Sequence, residues 1–411
     1  MSTQTYPLAG VTDAPSVGRL AALLMAATHV AYVVFLCVGH FKGNPGLAWI
    51  PFDLTLAAAL FVLALSLPAF FASGAKIRIE GLWLLLFFAA MGLAGCWTEW
   101  TPYAIEKATR FYSLTLIAAL FPAFILSELE GVKRVVALIA ILGVTLSAGV
   151  PIQILGGGFT GGLAERTAGF DTVTTLLGWD AGLALVGLYA YTLRKGKWCW
   201  LGLLCVPLFL ALLASGARGP LFCSVGVIAF LTIRFSLSKK YGVVLAIVLI
   251  ATAWIGVVEF SSLLPQGSLS RVNATLQGQY DDSAQERVQL QQAAVEAIEK
   301  NPLGMGFGGF GRVYNFGSET DHVYPHNIIL DIAVDNGVVV ALLFAGLAMV
   351  ALRRSYLAAV STPALQPLFA MFLFSFSNSL ISGELNADRT LFALLGIALQ
   401  TTPSSFSPQT D

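Results

Sequence analysis

Charge is what this sequence has least of. Only 11% of its 411 residues are Asp, Glu, Lys or Arg, against about 25% in a soluble domain. A chain so poor in charge lacks the polar surface to cover a water-facing globule. Net charge is absent as well, because 23 basic residues balance 23 acidic ones. No global field therefore draws in nucleic acid, and any recognition by charge is local. The five cysteines lie in apolar stretches without metal-ligand spacing, which reads them as small buried hydrophobes rather than disulfide or metal partners. The first 18 residues hold two prolines and no positive charge. That is not the pattern of a cleaved signal peptide, so targeting falls to the first hydrophobic span. No internal repeat, heptad run or low-complexity tract is present.

What the chain has instead is apolar length. Hydrophobic residues make up 57% of it, mean hydropathy is +0.78, and the apolar residues come in blocks of about 20, enough to cross a hydrocarbon core of ~30 Å as helices. The blocks predict spans over 19–39, 54–72, 81–97, 110–127, 135–153, 173–193, 198–214, 219–235, 241–259, 327–351, 364–382 and 387–401. The expected fold is an all-α polytopic integral membrane protein of about twelve transmembrane helices. Basic residues fix its orientation. Lys76, Arg78, Lys133, Arg134, Arg194, Lys195, Arg353 and Arg354 cluster at alternate short connections, which the positive-inside rule places in the cytoplasm together with both termini. Acidic residues such as Glu99, Glu106, Glu384 and Asp388 fall on the other side.

Three segments follow. Residues 1–260 carry the first nine spans, 261–325 form a long outer loop, and 326–411 hold the last three spans and a cytoplasmic tail. Loops of that length carry function or structure of their own. Within this one, Ser283-Ala284-Gln285-Glu286 has the spacing of a capping box. It predicts a helix reaching Lys300, stopped by Pro302 and the glycines at 304, 306, 308, 309 and 311.

The outer-face cations are the ones that topology does not explain. Arg218 stands in Ser215-Gly-Ala-Arg-Gly-Pro220, a short turn between apolar helices. An ionisable group there is a functional candidate, and its rigid fork suits a phosphate or diphosphate. A structural pair with a helix-end carboxylate or a lipid phosphate is the alternative. Arg166 lies in a glycine-rich loop whose backbone can approach a ligand closely, or which simply connects two spans. Arg287 falls in the first turn of the loop helix, where a cation opposes the helix dipole; Asp281, Asp282 and Glu286 are near enough in sequence to neutralise it.

His326 closes the long loop in Tyr324-Pro-His-Asn327. A helix N-terminus disfavours the imidazolium, and a neutral imidazole is what a general base needs; an interfacial residue at the start of a span is the plainer reading. His322 brings no third ligand for a metal. Asp180, Asp331 and Asp335 read either as proton-relay groups of a transporter or, for Asp331 and Asp335 one turn apart, as residues that orient the histidine or the arginines.

Arg287, the run Asn301-Pro-Leu-Gly-Met-Gly-Phe-Gly308, Pro325-His-Asn327 and Asn336-Gly337 together resemble the O-antigen ligase family (the WaaL/Wzy_C superfamily). Ser215-Gly-Ala-Arg-Gly219 looks like that family's small-residue and Arg-Gly element, and Arg166-Thr-Ala-Gly-Phe170 is a weaker match to its upstream arginine. The resemblance implies a glycosyltransferase of the bacterial inner membrane, independent of metal, nucleotide and other cofactors, with a periplasmic active site. Its donor would be an undecaprenyl-diphosphate-linked O-antigen and its acceptor a sugar hydroxyl of lipid A–core. His326 would be the general base and Arg218, Arg287 and Arg166 the diphosphate ligands, with Asn327, Ser215 and Asp335 in support. A polysaccharide polymerase or a protein O-oligosaccharyltransferase would share these residues. A lipid-linked glycan transporter is the alternative from a different class, for which Gly/Pro-broken spans and paired midplane charges are the expected signs.

Overall fold

A computed structural model describes residues 15–41, 49–73, 80–126, 129–148, 171–195, 200–236, 282–314 and 322–401, together with Val244, Ile247 and Val248. Every regular element among the described residues is helical. In chain order these are α1 (Pro15–Cys37), α2 (Leu54–Ser73), α3 (Glu80–Leu93), α4 (Pro102–Arg110), α5 (Leu116–Ile125), α6 (Leu129–Ser147), α7 (Asp171–Lys195) and α8 (Cys205–Ser215). They continue as α9 (Arg218–Leu231), α10 (Asp282–Lys300), α11 (Gly309–Tyr314), α12 (Ile328–Asn336), α13 (Val338–Ser361), α14 (Gln366–Ser382) and α15 (Arg389–Gln400).

Among the described residues, five helices are long and apolar enough to cross a membrane: Pro102–Ile125, Leu176–Arg194, Arg218–Phe235, Val338–Ser361 and Pro363–Ser382. Five shorter apolar helices accompany them. Large apolar side chains such as Phe61, Phe71, Trp83, Val339 and Leu342 stand exposed on this bundle, as lipid-facing groups do and as a water-soluble surface does not. This is the architecture of a polytopic membrane protein. The expected span 241–259 lies almost wholly outside the described residues, as do 261–281 and 315–321 of the long loop.

Small residues bring the helices together. An added Cβ at Gly143 of α6 would meet the Asp180 carbonyl oxygen of α7 at 2.7 Å, and one at Gly182 would meet the Phe374 ring of α14 at 2.6 Å. Close backbone approach of this kind supplies the packing that water expulsion cannot supply in lipid. α7 is thereby wrapped by α6, α8, α9 and α14. On the other flank, Phe87, Phe88, Phe111, Phe344 and Phe392 join α3, α13 and α15 around a π-helical turn at Phe111–Thr115 that links α4 to α5.

The apolar run 327–351 is not one span. It is α12 and α13, broken at Gly337. Gly337 has φ +93, a conformation L side chains rarely adopt, and a Cβ there would meet the Leu303 carbonyl oxygen at 2.7 Å. The break is fixed by the segment after the loop helix. Val338 N–H donates to the Pro302 carbonyl (3.0 Å), Met305 N–H to that of Val334 (2.7 Å) and Gly306 N–H to that of Asp335 (2.9 Å). The glycine-rich run thus satisfies groups that the end of α12 leaves open.

Candidate active site

The loop helix α10 spans Asp282–Lys300. Its apolar face, Leu290 and Ala294, packs with Phe310 of α11 and Val334 of α12 in a small core separate from the main one. That docking carries Arg287 toward the start of α12.

α12 begins at Asn327, whose side-chain oxygen accepts from Ile329 N–H (3.0 Å) and Leu330 N–H (3.1 Å). Its Nδ2 donates to the Leu380 carbonyl near the end of α14 (2.9 Å). One asparagine therefore caps the helix and ties it to a neighbour. His326, just before the cap, has φ +53 and is the one non-glycine residue with positive φ among the described residues. Such a conformation costs about 1–3 kcal/mol and persists where the surroundings enforce it, often at functional sites. The ring lies against Tyr324, with centroids 4.3 Å apart, and Nδ1 is buried without a hydrogen-bond partner.

Burial pushes the His326 imidazole down to about 4, helped by the positive field of Arg287 and opposed by Asp331. The expected neutral ring is present, but for a different reason than the helix terminus: desolvation and a neighbouring guanidinium do the work. Burial also holds the Tyr324 phenol protonated, with its proton affinity raised further by Glu384 and lowered by Arg287.

Arg218 opens α9 after a turn that Ser215 builds. Ser215 Oγ donates to the Leu212 carbonyl (2.7 Å) and accepts from Ala217 N–H (3.2 Å), while Gly216 takes φ +65. The next residue, Gly219, leaves room for Asn378 Oδ1, which a Cβ would meet at 3.1 Å, and for Ser382. The C-terminal end of α14 is thus a shared platform, holding Asn327 on one side and the start of α9 on the other. It brings Arg218 and His326 to the same end of the bundle. Arg166 lies outside the described residues.

Asp335 has a different partner from the histidine or arginines expected of it. Lys107 Nζ, buried on α4, lies 2.8 Å from Asp331 Oδ1 and 2.8 Å from Asp335 Oδ2. Leu385 N–H donates to the other oxygen of Asp331 (2.9 Å), and Gly308 N–H donates to Asp335 Oδ2 (3.0 Å). Gly308 reaches it with φ +66 against the Tyr103 ring. Asp331 still acts on the histidine through its field. Glu384, in the connection between α14 and α15, adds a second group beyond the candidates from sequence: burial and Asp331 raise its carboxyl to about 7, against the opposing pull of Lys107.

Residues 203–345 match the family model described as O-antigen ligase, Wzy_C. No curated protein matches the chain. The matched stretch runs from the start of α8 into α13 and includes Ser215, Arg218, Arg287, His326, Asn327 and Asp335, whereas Lys107 and Glu384 lie outside it.

Proposed function

We propose, on the match of residues 203–345 to the O-antigen ligase family model, that this chain transfers a glycan en bloc from undecaprenyl diphosphate to a sugar hydroxyl of lipid A–core. The family is one of membrane glycosyltransferases. The observation that carries the residue assignment is the neighbourhood of Arg287 and His326, a cation whose field reaches a half-buried imidazole at a strained backbone position.

Charge accumulates on the diphosphate as the anomeric C–O bond breaks, and fixed cations stabilise it where it develops. Arg218, Arg287 and Arg166 supply them in this reading. His326 takes the proton of the acceptor hydroxyl as its oxygen attacks the anomeric carbon. One direct displacement inverts that centre. An imidazole held near 4 is a weak base, and donor binding offsets part of this: burial is the larger cause and stays, but a diphosphate on Arg287 cancels the guanidinium field that adds to it. Base strength then rises only when the donor is in place.

The site faces the periplasm in a twelve-span chain of the inner membrane with both termini cytoplasmic. The isoprenoid lies along the spans among membrane lipids, and α10 covers the site. Reconstitution of the purified full-length chain with polyprenyl-diphosphate glycan and lipid A–core, without metal or nucleotide, tests this. Glycosylated lipid A–core is the expected product. Extension of the donor glycan alone would instead identify a polymerase, and donor movement across the bilayer without transfer would identify a transporter.

A further inference from the structure

At the other end of α14 from Leu380, a cavity of about 470 Å³ opens between α6, α7 and the start of α14. α14 is about 24 Å long at 1.5 Å per residue, so this cavity is remote from Arg218 and His326. Its size is that of a small-molecule site. One face of α6 lines it, at Lys133, Val136, Ala140 and Val144, a spacing of three and four residues that keeps all of them on one stripe. The stripe runs about 17 Å along the bundle.

The lining is apolar except for Thr145, whose hydroxyl donates to the Leu142 carbonyl, and for the charged groups at the opposite end. α7 runs antiparallel to α6, so Arg194, near its C-terminus, and Lys133, near the N-terminus of α6, share that end. Arg194 lies over the Tyr191 ring, 5.8 Å from its centroid. Glu130 contacts Lys133 and also feels Arg134 and Arg194, so among the described side chains three cations face one carboxylate there. The positive-inside rule accounts for cations at this end. It does not account for two of them lining a long apolar cavity.

We infer that this cavity seats a bilayer phospholipid with an anionic headgroup, an acyl chain lying along the α6 stripe and the phosphate held between Lys133 and Arg194. Two features select that occupant. An acyl chain matches an apolar channel parallel to the helices, and basic pockets between membrane helices on the cytoplasmic side take anionic headgroups. Gly187 shapes the wall by leaving room for the Met371 side chain of α14 against α7.

Native mass spectrometry of the full-length protein, equilibrated with equal amounts of phosphatidylglycerol and phosphatidylcholine of matched chains, tests the inference. The wild type is expected to retain the anionic lipid with a preference of about thirtyfold, two nearby cations being involved. Lys133→Gln with Arg194→Gln should bring that preference close to unity. Ala137→Phe, at an exposed position on the same stripe, should cut retention of both lipids, and circular dichroism checks that each variant keeps its helices. Equal retention of the two lipids by the wild type would overturn the inference. So would an unchanged preference in the folded double variant, or unchanged retention in folded Ala137→Phe.

Discussion

Lys107 meets Asp331 across 224 residues of sequence, Nζ to Oδ1 2.8 Å, and holds Asp335 at the same distance. The contact joins α4 to α12, the helix whose first turn follows His326. It also draws in the α14–α15 connection through Leu385 and the glycine run through Gly308. All three side chains are buried. Lys107→Met leaves two buried carboxylates without their cation, an uncompensated state that costs about 3–5 kcal/mol. A drop of several degrees in the thermal midpoint in detergent is expected, with transfer lost in parallel because α12 loses its anchor. An unchanged midpoint would contradict the pairing.

Gly337 sets the break between α12 and α13. Gly337→Ala forces a Cβ into a left-handed backbone against the Leu303 carbonyl, at a cost of about 1–3 kcal/mol. The expected result is a lowered midpoint with helix content retained. Gly346, on the exposed side of α13 with open space around it, is the control: Gly346→Ala should hold or raise stability, since alanine favours a helix by ~1 kcal/mol.

The strain at His326 predicts a separation of stability from function. His326→Gly relieves the positive φ but gives up the ring contact with Tyr324 and adds freedom to the unfolded chain, so the opposing effects of about 1–3 kcal/mol should leave stability near the wild-type level. Transfer should disappear. Joint loss of stability and transfer would mark the histidine as a structural residue.

Two groups make opposite contributions to the pH dependence of stability. The folded His326 titrates at about 4, below its ordinary 6.5, so the unfolded chain binds more protons between those values and this group makes stability rise with pH. Glu384 titrates at about 7 when folded, above its ordinary 4.5, so the folded chain binds more protons there and stability falls as pH rises. Relative to wild type, His326→Gln should lose the rising component from about pH 4 to 6.5. Glu384→Gln should lose the falling component from about pH 4.5 to 7. Unfolding midpoints across that range read both, and slopes of the opposite sign would refute the two environments.

Most of the helices are legible as apolar runs, because a lipid-facing chain must keep its hydrogen bonds within each helix and its polar residues out of the lipid. The run from Asn327 to Ala351 misleads for the same reason. Its hydrophobicity is continuous, and the break at Gly337 comes from docking of Pro302, which no local periodicity encodes. Arg218, Arg287 and His326 are legible as ionisable groups at the edges of apolar runs that the alternation of basic loops does not require. That criterion also selects Lys107, and two aspartates one turn apart in an apolar stretch are its complement. Neither signal says that they meet. The cause of the neutral His326 is invisible for a related reason: burial and the approach of Arg287 arise from how α10 packs on α12, not from the residues beside the histidine.

The central claim is that His326, in the field of Arg287, takes the proton of the acceptor hydroxyl. It is tested by transfer and donor binding in the reconstituted protein, comparing wild type with His326→Ala. The account predicts that donor affinity is retained while transfer falls by about 10²–10⁴-fold, the range expected for loss of a general base. Wild-type turnover in the folded variant would contradict it.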